Sequence, residues 1–137
     1  MEQPINGSCL CGDVAFTVQP PFVFFQYCHC SRCRKLSGSA HAANIFVKLS
    51  QFAWTKGEAT VQRFELPAAE YFCSGFCPRC GSSMPWLNRS GKYMLIPAGS
   101  LDEDPGARPD RNIYWGSRAP WYVPAGELPI FEEGPPR

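Results

Sequence analysis

Seven of the chain's eight cysteines fall in three tight clusters: Cys9-Leu10-Cys11-Gly12, Cys28-His29-Cys30-Ser31-Arg32-Cys33 and Cys77-Pro78-Arg79-Cys80-Gly81. Cysteine at such spacings does one of three things: bridge, bind metal, or attack. Bridging is disfavoured, because Cys9/Cys11 and Cys28/Cys30 are separated by one residue, a poor spacing for a disulfide and a good one for converging on an ion. The two-residue gap of Cys77 and Cys80 lets both thiolates turn toward one metal, and Gly81 permits the positive φ such a knuckle needs. A half-site needs a partner. Cys9 and Cys11, followed by Gly12, are the natural candidates. Four thiolates close a tetrahedron, so that centre is expected to be structural zinc, contributing about 10 kcal/mol to folding as in isolated zinc modules.

Cys28, Cys30 and Cys33 lie within six residues and can cap one face of an ion. Three protein ligands leave the fourth position free, the pattern of catalytic zinc. An external thiol could fill it and be held as thiolate at neutral pH, against an ordinary thiol value near ~8.5. Two residues could instead supply a fourth ligand and make this centre structural too. One is His29, whose place between two ligands turns its side chain away. The other is Cys73, which could fold toward either centre or simply be a small buried apolar residue.

Other polar residues carry weaker signals. Arg32, Arg34 and Lys35 could bind carboxylates or be a solvated face. Ser37-Gly38-Ser39 could offer backbone donors or be a plain turn. His41 could shuttle protons or pack in its alanine-rich stretch. Trp54, Trp86, Trp115 and Trp121 are expected to cover core or sheet, although one could wall a ligand pocket.

The elements that must position these groups read as short strands. Val14, Phe16 and Val18 alternate with Ala15 and Thr17, as in a half-buried strand. Segments 22–27, 42–47, 60–65, 93–96 and 112–115 look similar, and a turn or two of helix is expected at 31–36, closed by Ser37-Gly38. Prolines crowd the C-terminal third, where they break helices and confine strands to edges. The last segment is expected to cross the sheet as extended chain pinned by Trp115, Trp121 and Tyr122, with disorder from about residue 132. The fold class is therefore mainly β, in small antiparallel sheets with little helix.

Length and composition bound the rest. A chain of 137 residues, 45% apolar, is expected to be one globular domain over 1–137 that can bury a core without disulfide staples. Thirteen Lys and Arg against 12 Asp and Glu, net +1, provide no basic footprint for nucleic acid. No apolar run approaches a membrane span, and the opening MEQPINGSCLCG does not read as a signal peptide. The expectation is a soluble, cytoplasmic protein, where dense cysteine means metal or catalysis.

The order C-x-C-G, C-H-C-x-x-C-R-K-x-S-G and F-C-x-x-C-G resembles the glutathione-dependent formaldehyde-activating (GFA) family. The stretches Pro97-Ala98-Gly99-Ser100-Leu101-Asp102 and Ser117-Arg118-Ala119-Pro120-Trp121 look like a bacterial branch of it. The resemblance implies a tent-like zinc fold holding two zinc ions. It places structural zinc on Cys9, Cys11, Cys77 and Cys80, and functional zinc on Cys28, Cys30 and Cys33. It also implies a carbon–sulfur lyase activity joining formaldehyde, or another small aldehyde, to glutathione or a similar thiol as S-hydroxymethylglutathione. Two rivals remain: a non-enzymatic zinc scaffold, favoured by a fourth protein ligand at the second centre, and a zinc-ribbon nucleic-acid binder, disfavoured by the charge balance.

Overall fold

The structure is a computed structural model and describes residues 3–136. Eleven short strands and one helix follow in the order β1 (Ile5–Ser8), β2 (Ala15–Val18), β3 (Phe24–Cys28), α1 (Ser31–Ser37), β4 (Ala42–Lys48), β5 (Phe52–Lys56), β6 (Gln62–Glu65), β7 (Cys73–Phe76), β8 (Ser83–Met84), β9 (Trp86–Leu87), β10 (Tyr93–Pro97) and β11 (Arg111–Ile113). They form three small sheets: β1-β2-β5, β11-β3-β4-β10-β9 and β6-β7-β8. The mainly β, small-sheet expectation holds. One pairing departs from it, because β11 runs parallel to β3, with Ile113 opposite Cys28.

The alternation in β2 does what its period requires. Phe16 and Val18 are buried while Ala15 and Thr17 are half-buried on the other face. The core gathers where the sheets face each other: Ile5, Phe16 and Val18 from the first, Ile45, Val47, Met94 and Ile96 from the second, and Met84 from the third. Cys9 and Cys77 belong to the same buried cluster. The cysteine knuckles are thus packed into the core and not hung outside it.

Two expectations for the C-terminal segment are corrected. Residues 112–115 are not a continuous strand: β11 stops at Ile113, and Tyr114, at φ 54°, turns the chain into a 3-10 turn at Trp115–Ser117. Trp115 and Tyr122 pack on each other, ring centroids 5.7 Å apart, and on His29, although Trp115 stays 43% exposed. Trp121, however, is 65% exposed and pins nothing. The prolines leave 118–136 without strand or α-helix, so only some of its side chains find the sheet.

Gly7 faces Phe16 across the β1–β2 pair. A Cβ at Gly7 would clash with the tip of the Phe16 ring, so the glycine is there to let a large aromatic ring approach the backbone closely. Gly7→Ala is therefore expected to cost about 1–3 kcal/mol in urea denaturation. Phe16→Leu, destabilising alone, should recover part of that loss in the Gly7→Ala background. Strict additivity of the two changes would show that the contact is not the cause.

Candidate functional site

The first cysteine group is built by two knuckles, C-x-C-G and C-x-x-C-G, each closed by its trailing glycine. Gly12 N–H donates to Cys9 O at 3.1 Å, and Gly81 N–H donates to Cys77 O at 2.8 Å. Both glycines have positive φ, 83° and 77°, which only glycine adopts without strain. The knuckles are tied together across the chain. Leu10 N–H donates to Ser82 Oγ at 2.9 Å, and the Arg79 guanidinium meets Asp13 at 3.1 Å. The result brings the sulfurs of Cys9, Cys11, Cys77 and Cys80 within 4.8 Å of one another.

This geometry suits a tetrahedral metal. Thiolates at about 2.3 Å from a zinc stand about 3.8 Å apart. Cys9 and Cys11 sulfurs lie 3.6 Å apart, and Cys11 and Cys77 sulfurs 3.8 Å, far beyond a disulfide. The charges also call for a cation. Ser82 hydroxyl and backbone donors hold Cys80 down at about 5. Cys11 is pushed up to about 12: the backbone bond at Asp13 pulls it down, but burial and the three neighbouring sulfurs outweigh it. Burial works upward on Cys9, yet the Val14 N–H and the sulfurs of Cys11 and Cys77 leave it lowered. Without a cation the four cannot all be anions; with one they can.

The second group stands where β3 ends and α1 begins. Cys28 is the last residue of β3, and Cys30 is the helix N-cap, its sulfur accepting from Cys33 N–H at 3.3 Å. Capping thus serves two purposes: it starts the helix and aligns the sulfurs of Cys30 and Cys33. The sulfurs of Cys28, Cys30 and Cys33 lie within 4.8 Å of one another. Cys28 is lowered to about 6, first by its hydrogen bond with Cys33, while Cys33 is raised by Cys28 and by burial. The same crowding of like charge arises here with three sulfurs, and the donor set suits the same kind of soft cation.

Neither candidate fourth ligand joins this group. Cys73 is fully buried, with its sulfur 3.2 Å from Arg63 Nη2, and belongs to neither cluster. His29, also fully buried, turns away from the sulfurs: Nε2 lies 2.9 Å from Asn112 Oδ1, and the ring packs edge-on to Trp115 and Tyr122. Its backbone N–H donates to Ile113 O at 3.0 Å. His29 thereby fastens the cysteine loop to β11 and to the segment after it. Asn112 carried no sequence signal, because its partner is 83 residues away.

A cavity of about 600 Å³ opens over the three cysteines. Arg32 lines it, whereas Arg34 and Lys35 do not. Trp86 is the tryptophan that walls it, with Tyr71, Phe72 and Tyr114, which sequence reading did not single out. His41 stacks on Tyr27 at 4.1 Å and also lies near the His29 ring. Ser37-Gly38 is a helix cap: Ser37 Oγ donates to Cys33 O, and Gly38 N–H donates to Arg34 O.

Comparison with known proteins accords with this arrangement. The pattern of the family described as glutathione-dependent formaldehyde-activating enzyme matches residues 4–117. The chain belongs to this family. A Halomonas elongata relative, whose name marks it as a provisional glutathione-dependent formaldehyde-activating enzyme, is 29% identical over 78% of this chain and 71% of its own. A crystal structure of a Rhodobacter sphaeroides protein shares the fold, with a TM-score of 0.60 at 23% identity, covering 77% of this chain and 98% of the other. Among the described residues no helix is long and apolar enough to cross a membrane.

The two cysteine groups of this family member differ in what they connect. One joins segments 66 residues apart at the core; the other closes a local loop. Cys77→Ser is expected to lower the melting temperature by well over 10 °C, through loss of several kcal/mol. Cys30→Ser should cost only a few degrees. Equal, severe losses in parallel thermal melts would remove this distinction.

Proposed function

We propose that this protein joins a thiol of the glutathione type to a small aldehyde, formally a carbon–sulfur lyase reaction run toward the adduct. In this reading Cys9, Cys11, Cys77 and Cys80 hold a structural zinc, and Cys28, Cys30 and Cys33 hold a functional one. The observation that carries the reading is the unequal closure of the two sulfur groups. Four sulfurs meet between two knuckles, whereas three face a cavity with no fourth protein ligand among the described residues. A zinc ion on the three cysteines would lower the pKa of a thiol in the cavity, so that it reacts as thiolate at neutral pH.

The chain's own residues do the rest. Cys28, Cys30 and Cys33 bring three anionic sulfurs to one face, which makes the site a poor polariser of carbonyls and a good partner for thiol chemistry. His29 and Asn112 keep that face from swinging on its loop. Arg32, exposed at the cavity, offers a cation to a carboxylate of the thiol. The hydroxyls of Ser31, Ser117 and Tyr114 border the same space and can return the proton to the aldehyde oxygen as the carbon–sulfur bond forms. The balance is simple: the thiol loses its proton, sulfur bonds to the carbonyl carbon, and the oxygen becomes a hydroxyl.

The reaction also proceeds without a catalyst, so the test is a rate. Exchange NMR on ¹³C-formaldehyde and glutathione, with metal-replete protein, is expected to show adduct formation well above the uncatalysed background. Cys33→Ser should lower that enhancement by about 100-fold or more. A wild-type rate no greater than background would refute the proposed reaction.

A further inference from the structure

The cavity over Cys28, Cys30 and Cys33 also takes the thiol, but its lining is more aromatic than a polar, peptide-like thiol and formaldehyde require. Two charged side chains line it, Arg32 and Glu70, both exposed. They can meet one carboxylate and one ammonium of a glutathione-like thiol, leaving its remaining charge in solvent. The walls are Tyr71, Phe72, Trp86 and Tyr114. Formaldehyde adds a single carbon and gives those rings nothing to face.

The two tyrosines are unusual for their surroundings. Tyr71 is 70% exposed and Tyr114 is 64% exposed, so neither ring is needed for the core. Tyr114 is the one non-glycine residue with positive φ among the described residues. That backbone costs about 1 kcal/mol or more for an L-residue, and such strain collects at binding sites. Here it turns the chain out of β11 directly beside the cavity. Large exposed aromatic surface over a reactive site is most simply understood as surface that a ligand covers.

We infer that the aldehyde taken by this site carries an apolar, aromatic-sized substituent, held between Tyr71, Tyr114 and the Trp86 wall, so that these residues set aldehyde specificity. The inference rests on the thiol-addition reading above. The chemistry is unchanged: one carbon–sulfur bond forms, the carbonyl π bond opens, and the thiol proton ends on the oxygen. The substituent takes no part in bond making and contributes binding energy alone.

The test compares kcat/KM for glutathione addition to phenylacetaldehyde and to formaldehyde, using metal-replete full-length protein. Phenylacetaldehyde is expected to be favoured by about tenfold or more, the range one apolar group commands in a matching pocket. Tyr71→Ala and Tyr114→Gly should each lower that ratio by about tenfold. Both are expected to fold, since both rings are exposed and glycine adopts the φ of Tyr114 freely. A ratio favouring formaldehyde, or one that neither substitution moves, overturns the inference while leaving thiol addition standing. Absence of acceleration with either aldehyde removes the thiol-addition reading, and the specificity inference falls with it.

Discussion

Negative charge confined among close-packed sulfurs organises this protein. Four sulfurs in one place and three in another lie within 4.8 Å of their neighbours, and thiolates so close repel one another strongly in a partly buried setting. In each group one sulfur is drawn toward the anion while another is driven toward the thiol: Cys80 against Cys11, and Cys28 against Cys33. A soft divalent cation would relieve that conflict. The surroundings of the four-sulfur group are arranged for that state, with donors from Val14 N–H and Ser82 Oγ on its sulfurs and Arg79 beside it, its pKa raised by Asp13 and by the charge of Cys11. The fold then inherits the constraint. Cys9 follows β1, Cys77 follows β7, and the two sheets that carry these strands meet where their knuckles meet.

The two groups differ in connectivity. The four-sulfur group ties residue 9 to residue 80, so its closure is a tertiary contact built into the core. The three-sulfur group closes a loop that β3 and α1 would nearly form without it. Its precision comes from behind: His29 Nε2 on Asn112, its ring beneath Trp115 and Tyr122, and its backbone on Ile113. The parallel β11 and the proline-rich segment after it therefore have a role that no regular structure of their own announces. They brace the cysteine loop through His29, while Tyr114 and Ser117 of the same segment line the cavity. The family match stops at residue 117, yet Tyr122 lies beyond that point and contributes to the brace.

What could be read from the sequence was local. Cysteine spacing predicts the knuckles because gaps of one or two residues and a trailing glycine act within one turn, and the alternation of Val14 to Val18 predicts β2 for the same reason. The helix expected over 31–36 from its Ser-Gly ending runs over Ser31–Ser37. Strands β8 and β9 are two residues each, too short for any period to show. Cys73 looked like a ligand candidate because it stands four residues before Cys77. Its fate is decided by Arg63 on the neighbouring strand β6, a partner visible only once β6 and β7 are paired. Trp121 and Tyr122 are adjacent and equally aromatic, and only the path of the chain sends one outward and the other onto His29. Among the cavity walls the sequence singles out Trp86 alone, as one of four tryptophans; Tyr71, Phe72 and Tyr114 are gathered from segments distant in the chain and carry no local signal.

On the proposed reading the two sulfur groups differ by one open coordination position, and cobalt makes that position visible. Cobalt-replaced protein should be titrated with glutathione while the ligand-field and thiolate charge-transfer bands are followed. S-methylglutathione, whose sulfur cannot become a thiolate, serves as the control. A saturable spectral change is expected with glutathione, none with S-methylglutathione, and the same behaviour in Cys73→Ser. A spectrum already characteristic of four sulfurs at both centres, unresponsive to added thiol, would contradict that reading.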